Sequence, residues 1–409
     1  HLPNLLRQLR AKVRMSLSAQ IRRIEPAGLE LSGKSVFLHR NQKIVAAGEA
    51  VRISAKGANR ISELSAAWQE ILRTAEISNN SAVEDAGLIG LVSIAFSETS
   101  DYESVLIIPS MAQVHTDKAS YEVVVGEIAK KSDLQAPTGN FAEGSQTSES
   151  FTKSVESALR SISSGSVEKV VLARDLVLPI SAEPDLGTAL SRLHERYPDC
   201  WTYRIGNVFG ATPEILLRAK NGKVSARVLA GTAARGTDPD VDVAIADGLS
   251  HSLKNKHEHD YAVQSLVTEL RPFCSNIEYQ KEPFSLVLPD LWHLATDVTG
   301  ELLPGVSLLD VIEKLHPTAA VAGTPRKEAM TLIEQLEPFD RGGYAGPVGW
   351  LSSNGGGEIA IALRGGVIEE DCIRAIAGSG VVSESIPEAE LVETELKFRA
   401  VRWAFQSAN

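Results

Sequence analysis

The sequence predicts a mixed or antiparallel α/β fold. Many short strand-like runs are interspersed with helical ones, yet they never settle into the regular βαβ alternation of a parallel sheet. The chain has 409 residues and is 43% apolar, ample for the core of one large domain or two ordinary ones. No internal repeat is present.

Each element has its own signal. Residues 59–78, NRISELSAAWQEILRTAEIS, carry helical periodicity. Residues 86–95 and 104–109 are apolar runs expected as buried strands. Residues 131–150 are rich in Ser, Gly, Thr and Pro and predict an exposed loop. It parts a less legible region, 1–130, from a more patterned one, 151–409. A helix is expected over 150–163, followed by strands at 169–178, 201–209, 215–219 and 224–229. One long helix is expected over 240–270, and shorter ones at 307–315 and 325–336. Strands are expected again at 348–351, 358–367 and 373–377.

A helix should follow Gly378-Ser379-Gly380. Ser385 and Glu388 have the spacing of a capping box. On that helix Glu390, Glu393 and Lys397 fall at i, i+3 and i+7 and share one face. Two carboxylates beside an ammonium can hold a hard divalent cation together with a carboxylate ligand. A solvent-facing helix with a salt bridge shows the same stripe.

Composition excludes several classes. The net charge of −11 leaves no electrostatic footprint for nucleic acid. An anionic ligand would need positive charge gathered locally, from Arg, Lys or a metal. No apolar run reaches the roughly 18 residues that span a membrane. The N-terminal stretch HLPNLLRQLRAKVRM is basic and amphipathic but lacks the apolar core and cleavage site of a signal peptide. Cys200, Cys274 and Cys372 are scattered, with no CxxC, so neither a disulfide framework nor a thiolate metal site is expected. A reducing cytoplasm is the natural setting. No GxGxxG after a strand, GxxxxGK[ST] or GxSxG is present. His257 and His259, in HEHD, are not a zinc pair: two residues apart on a helix they point about 200° apart.

Nine segments, taken in order, carry a resemblance. They are EKVVLARD (168–175), FGATPEILL (209–217), LAGTAARG (229–236), KNKHEHDYAV (254–263), LWHLATDVTG (291–300), LHPTAAVAGTPRKEAM (315–330), DRGGYAGPVGW (340–350), IALRGG (361–366) and AGSGVV with PEAELVETELKFRA. Together they resemble the chorismate-utilising enzymes, which make isochorismate, salicylate, anthranilate and aminodeoxychorismate. The matches run over about 168–400, and residues 1–130 match only loosely. The resemblance implies a single domain of two large, mostly antiparallel sheets stacked face to face, with helices outside.

It also implies roles. Lys169 matches the general base that activates water, and a lysine in that role needs burial or a nearby cation to shed its proton. Glu214 matches the general acid, and its apolar neighbours suit a carboxyl that keeps its proton at neutral pH. Glu258 and Glu393 match ligands of Mg²⁺, with Glu390 as an outer partner reaching through water. Arg364 and Tyr344 match the clamp on the enolpyruvyl carboxylate, and Lys397 adds positive charge. Gly231, Thr232, Gly378 and Gly380 would let backbone amides approach the substrate. His293 matches a pocket-lining histidine, although a core histidine satisfied by hydrogen bonds fits as well.

The branch of the family follows from three positions. Aminodeoxychorismate synthases carry Lys where this chain has Ala230. Anthranilate synthases carry Gln in place of Lys169, use ammonia and need a glutaminase subunit. Salicylate synthases share Lys169, go on to eliminate pyruvate, and tend to carry Thr in place of Ala320. The expectation is therefore water addition at C2 of chorismate with loss of the C4 hydroxyl. Its product, isochorismate, feeds menaquinone or catechol siderophores. A chain without a glutaminase partner, acting as a monomer, is expected. Ala319 in place of a frequent Pro, and AGSG in place of AGAG, are small departures.

Overall fold

A computed structural model describes residues 17–40, 42–128, 134–137 and 139–406. The basic N-terminal stretch lies outside them. Two large sheets organise the described residues. The larger runs, in spatial order, through Ala142–Glu143, Lys169–Pro179, Cys372–Val381, Gly365–Ile368, Val208–Thr212 and Trp201–Ile205. It continues through Ser35–His39, Gln42–Ala47, Met111–Thr116, Ser120–Val124, Ser18–Arg23 and Glu76–Asn79. The smaller runs through Cys274–Tyr279, Leu291–Leu302, Lys223–Ala234, Ile215–Lys220, Gly357–Ile361, Pro347–Ser352, Ile89–Ser93, Ser104–Ile108 and Val51–Ala55. Neighbouring strands pair antiparallel, except Ser18–Arg23 with Glu76–Asn79. The N-terminal strands thus complete sheets begun by the C-terminal region, and the chain is intertwined rather than divided near 131–150.

Alternation along one strand shows how the layers stack. Phe37 faces the main core, which takes residues from both sheets. Its neighbours Val36 and Leu38 face a second core under the helices Gly187–Arg196 and Pro387–Ala404. At this strand the larger sheet is therefore buried on both faces, between the smaller sheet and outer helices, whereas its far edge at Ser18–Arg23 and Glu76–Asn79 is largely exposed. Among the described residues no helix is long and apolar enough to cross a membrane.

Several expectations need correction. The 201–209 run is a hairpin that turns at Gly206, whose φ of 57° a glycine adopts without strain. The 358–367 run is two strands in different sheets, Gly357–Ile361 and Gly365–Ile368. The 240–270 helix is two, Pro239–His251 and Leu253–Leu270, because Ser252 adopts an extended conformation and its side chain caps the second by accepting from Asn255 N–H. The 131–150 stretch is not simply exposed: Ala142–Glu143 pairs with Lys169–Pro179, Gln146 is buried, and a helix capped by Thr147 starts at Ser148. Residues 129–133 and 138 lie outside the described residues. The capping box at Ser385 does not form. Its hydroxyl accepts from Val382 N–H, and the helix starts at Pro387 without a side-chain cap. The helix Gly187–Arg196 and the long strand Leu291–Leu302 had no clear sequence signal.

Candidate active site

The site forms where the strand ladders are interrupted. Glu214 lies between Val208–Thr212 of the larger sheet and Ile215–Lys220 of the smaller. Arg364 lies at the reverse crossing, between Gly357–Ile361 and Gly365–Ile368, with a left-handed φ of 53°. A non-glycine residue there is strained, and such strain concentrates at functional sites. Gly231, φ 85°, sits where the register of Lys223–Ala234 against Leu291–Leu302 slips between Leu229 and Thr232. Each irregularity turns a side chain or amide into one cavity.

Lys169, Glu214, Ala230, Gly231, Thr232, Glu258, His293, Ala320, Tyr344, Arg364, Gly378, Gly380, Glu393 and Lys397 line it together. Glu390 does not. It is buried one turn before Glu393, accepts a hydrogen bond from the Ser379 hydroxyl, and ties the helix to the glycine-bearing strand. Lys169 is 5% exposed, and its Nζ lies 3.0 Å from Oε1 of Glu258. Gly380 makes room for that pair, since a Cβ there would stand 3.0 Å from Glu258 Oε1 and 3.2 Å from Lys169 Cε. Lys397 Nζ donates to Glu393 at 2.6 Å and to the Gly378 carbonyl at 2.8 Å.

Burial pushes the Glu214 carboxyl up to about 8, against the opposing pull of Lys169, Arg364 and Lys397. The group can therefore hold a proton at neutral pH. His293 meets both expectations. It is buried and lines the cavity, and its Nε2 accepts from Arg364 Nη2 at 2.9 Å. The proton then sits on Nδ1, 3.1 Å from Thr232 Oγ1. Burial first, then Arg364 and Lys397, hold this imidazole far below its usual range, so it stays neutral and steers the guanidinium. Burial pushes the Tyr344 hydroxyl up to about 12, which keeps it a donor. In a chain of net charge −11, this cavity gathers Lys169, Arg341, Arg364 and Lys397, with Glu258 beside Lys169, Glu337 beside Arg341 and Glu393 beside Lys397, so that Arg364 is the cation held by a neutral partner.

Glu258 and Glu393 present hard carboxylate oxygens to one cavity, a donor set that fits Mg²⁺ with water and a ligand carboxylate completing its shell. Among the described residues the one cluster of three close ligand groups is elsewhere, at Glu369, Asp371 and Cys372. His259 and His257 diverge as expected: the first bonds the Ala230 carbonyl and Thr296, and the ring of the second lies tilted against Tyr261.

Sequence reasoning missed Arg341. Its Nε and Nη2 donate to Glu337 at 2.8 and 2.6 Å, and it bonds the carbonyls of Val321 and Val171. Glu337 in turn accepts from Ala173 N–H. This buried pair ties the Lys169 strand to the loop carrying Ala320. The i, i+4 spacing of Glu337 and Arg341 was a faint signal, weakened because the helix ends at Leu336.

Comparisons with known proteins identify the family and the fold. The family model for chorismate binding enzymes matches residues 118–406. Isochorismate synthase MenF of Bacillus subtilis is 37% identical over 253 residues, 61% of this chain and 54% of that protein. The chain thus spans about half the length of that relative. Isochorismate synthase DhbC of Bacillus subtilis is 36% identical over 265 residues, 62% of this chain and 67% of that protein. The crystal structure of DhbC from Bacillus anthracis superposes with a TM-score of 0.77 at 31% identity, covering 91% of this chain and 96% of that one. With its matched region, sheets and cavity, the chain belongs to the chorismate binding enzyme family.

Proposed function

We propose that the chain is an isochorismate synthase, adding water at C2 of chorismate as the C4 hydroxyl leaves. The observation that carries this reading is a buried, proton-holding Glu214 in one cavity with Lys169. Lys169 takes a proton from the attacking water, and Glu214 gives its proton to the departing hydroxyl, which leaves as water. Arg364, oriented by His293, and Tyr344 hold one carboxylate. Mg²⁺ held by Glu258 and Glu393 would neutralise the other. Ala230 leaves no amine at the position an amination route uses, and Ala320 keeps the loop side chain small. The three cysteines are free, in keeping with a reducing cytoplasm. The relatives' names and the absence of an amination lysine support a chain that needs no glutaminase partner.

Incubation with chorismate and Mg²⁺, followed by chromatography, should yield isochorismate, and EDTA should abolish it. Full activity in EDTA would overturn the metal assignment. Accumulating salicylate and pyruvate would overturn the choice of reaction. Arg364→Ala should raise KM for chorismate roughly 10- to 100-fold with a smaller fall in kcat, because a charge-assisted carboxylate contact contributes about 1.5–3 kcal/mol already in the ground state. Steady-state kinetics check this, and an unchanged KM would remove Arg364 from the clamp.

A further inference from the structure

Glu214 lines a second, much smaller cavity of about 10 Å³ as well as the main one. That is room for about one water molecule. Leu216, Val228 and Leu266 form its apolar wall, and Arg227 and Thr318 are its other polar members. The Thr318 Oγ1 is buried without a hydrogen-bond partner. An unpartnered buried hydroxyl in the wall of a water-sized, otherwise largely apolar cavity points to a bound water, with the Glu214 carboxyl as its second partner. Arg227 is the cavity member that reaches the surface: it donates Nε and Nη2 to Asp297 at 2.7 and 2.9 Å, and both side chains are partly exposed. Thr318 and Ala320 lie on the same loop, so the small cavity is built from the wall of the site itself.

The reaction creates a need for such a water. Each turnover strips Glu214 of the proton that departs with the C4 oxygen as water. The carboxylate must be reprotonated before the next turnover, while bound product fills the main cavity. We propose that Thr318 holds a water in the small cavity, and that this water returns a proton from solvent to Glu214. The inference rests on the isochorismate synthase reading. The balance is simple: the water gives one proton to the carboxylate and takes one from the solvent beyond it. The proton that Lys169 gained from the attacking water passes to solvent on its own side. There Lys169 and Glu258 also border an open vestibule of about 410 Å³. No net proton is consumed. Thr318 is a positioning residue, since it acts through the water. The charged groups acting on Glu214 are Lys169, Arg364 and Lys397, its carboxyl accepts from Leu229 N–H, and Arg227 lines the small cavity beside it.

Thr318→Val removes the hydroxyl and keeps the shape. It should lower kcat with KM for chorismate unchanged, by less than the roughly 10²–10⁴-fold loss of the acid itself. Two further readouts separate proton return from mere packing. The variant should show a larger solvent deuterium isotope effect on kcat. Its kcat should also rise with the concentration of imidazole buffer, which can protonate Glu214 through the main cavity once product has left it. Thr318→Ser keeps the hydroxyl and should recover most of the loss. Wild-type kcat, isotope effect and buffer response in Thr318→Val would overturn the proposal, as would an equal loss in Thr318→Ser. A high-resolution crystal structure of the wild-type chain should show a water bonded to Thr318 Oγ1 and the Glu214 carboxyl. A dry cavity in an enzyme that does turn over chorismate would sink the relay alone. A wild-type chain inert towards chorismate would sink the parent reading as well.

Discussion

Glu214→Gln should lower kcat for chorismate roughly 10²–10⁴-fold while leaving KM within a few-fold of wild type. The amide fills the same buried space but has no acidic proton to give, so only the chemical step suffers. The wild-type pH profile should carry the same signature. Glu214 must be protonated to act, and burial pushes its carboxyl up to about 8, so activity should fall as pH rises through about 8. Stability is linked to the same proton. Glu214 holds it more tightly folded, at about 8, than unfolded, at 4.5. Its stabilising contribution is complete below about 4.5 and is lost as pH rises through about 8. The Tm of Glu214→Gln relative to wild type should therefore rise between pH 5 and pH 9. A flat difference, or near-normal turnover in the variant, would remove Glu214 as a buried acid.

Lys169→Ala should be of similar size, roughly 10²–10⁴-fold in kcat, with chorismate binding largely kept. In the proposed mechanism Lys169 acts on the attacking water, while holding the carboxylates is assigned to Arg364, Tyr344 and the metal. The substitution also removes the side-chain nitrogen 3.0 Å from Glu258, so the measurement should be made at saturating Mg²⁺. Isothermal titration with chorismate and single-turnover kinetics separate the two terms. A large loss of affinity with normal turnover of bound chorismate would place Lys169 in the clamp instead.

Much of the site is legible in the sequence through its resemblance to the chorismate-utilising enzymes, which singles out residues that local pattern does not. Read alone, a carboxyl after a proline fits a solvent-facing strand edge as well as a buried acid, and only its burial in the fold decides between them. The spacing of Glu390, Glu393 and Lys397 places them on one face, and the Glu393–Lys397 pair forms. What the spacing leaves open is which carboxylate faces the ligand. Glu393 does, whereas Glu390 turns to Ser379, because the helix packs against the strand Cys372–Val381 and one turn of rotation decides which side chain meets it. Arg341 escapes notice for a related reason. Its partners Val321 and Val171 come from distant segments, and the i, i+4 spacing to Glu337 does not by itself mark the pair as buried.

The strands and helices themselves divide in the same way. Local pattern alone determined the apolar runs at Ile89–Ser93, Ser104–Ile108 and Lys169–Pro179, the short helices at Leu308–Leu315 and Arg326–Leu336, and the amphipathic helix near 60–74. In each, periodicity and burial report one environment. Tertiary structure alone decided that the 358–367 run breaks at Arg364 and changes sheet, and that the 201–209 run folds back on itself. It also decided that Ser252 splits one helical pattern into two and that Ser385 caps nothing. A continuous apolar run is compatible with one buried strand or with two joined by a tight crossing. The choice depends on where a second sheet lies to receive the continuation. That is a long-range packing energy, and no window of neighbouring residues contains it. The active site sits at those crossings, so the sequence names its residues while the stacking of the sheets brings them to one cavity.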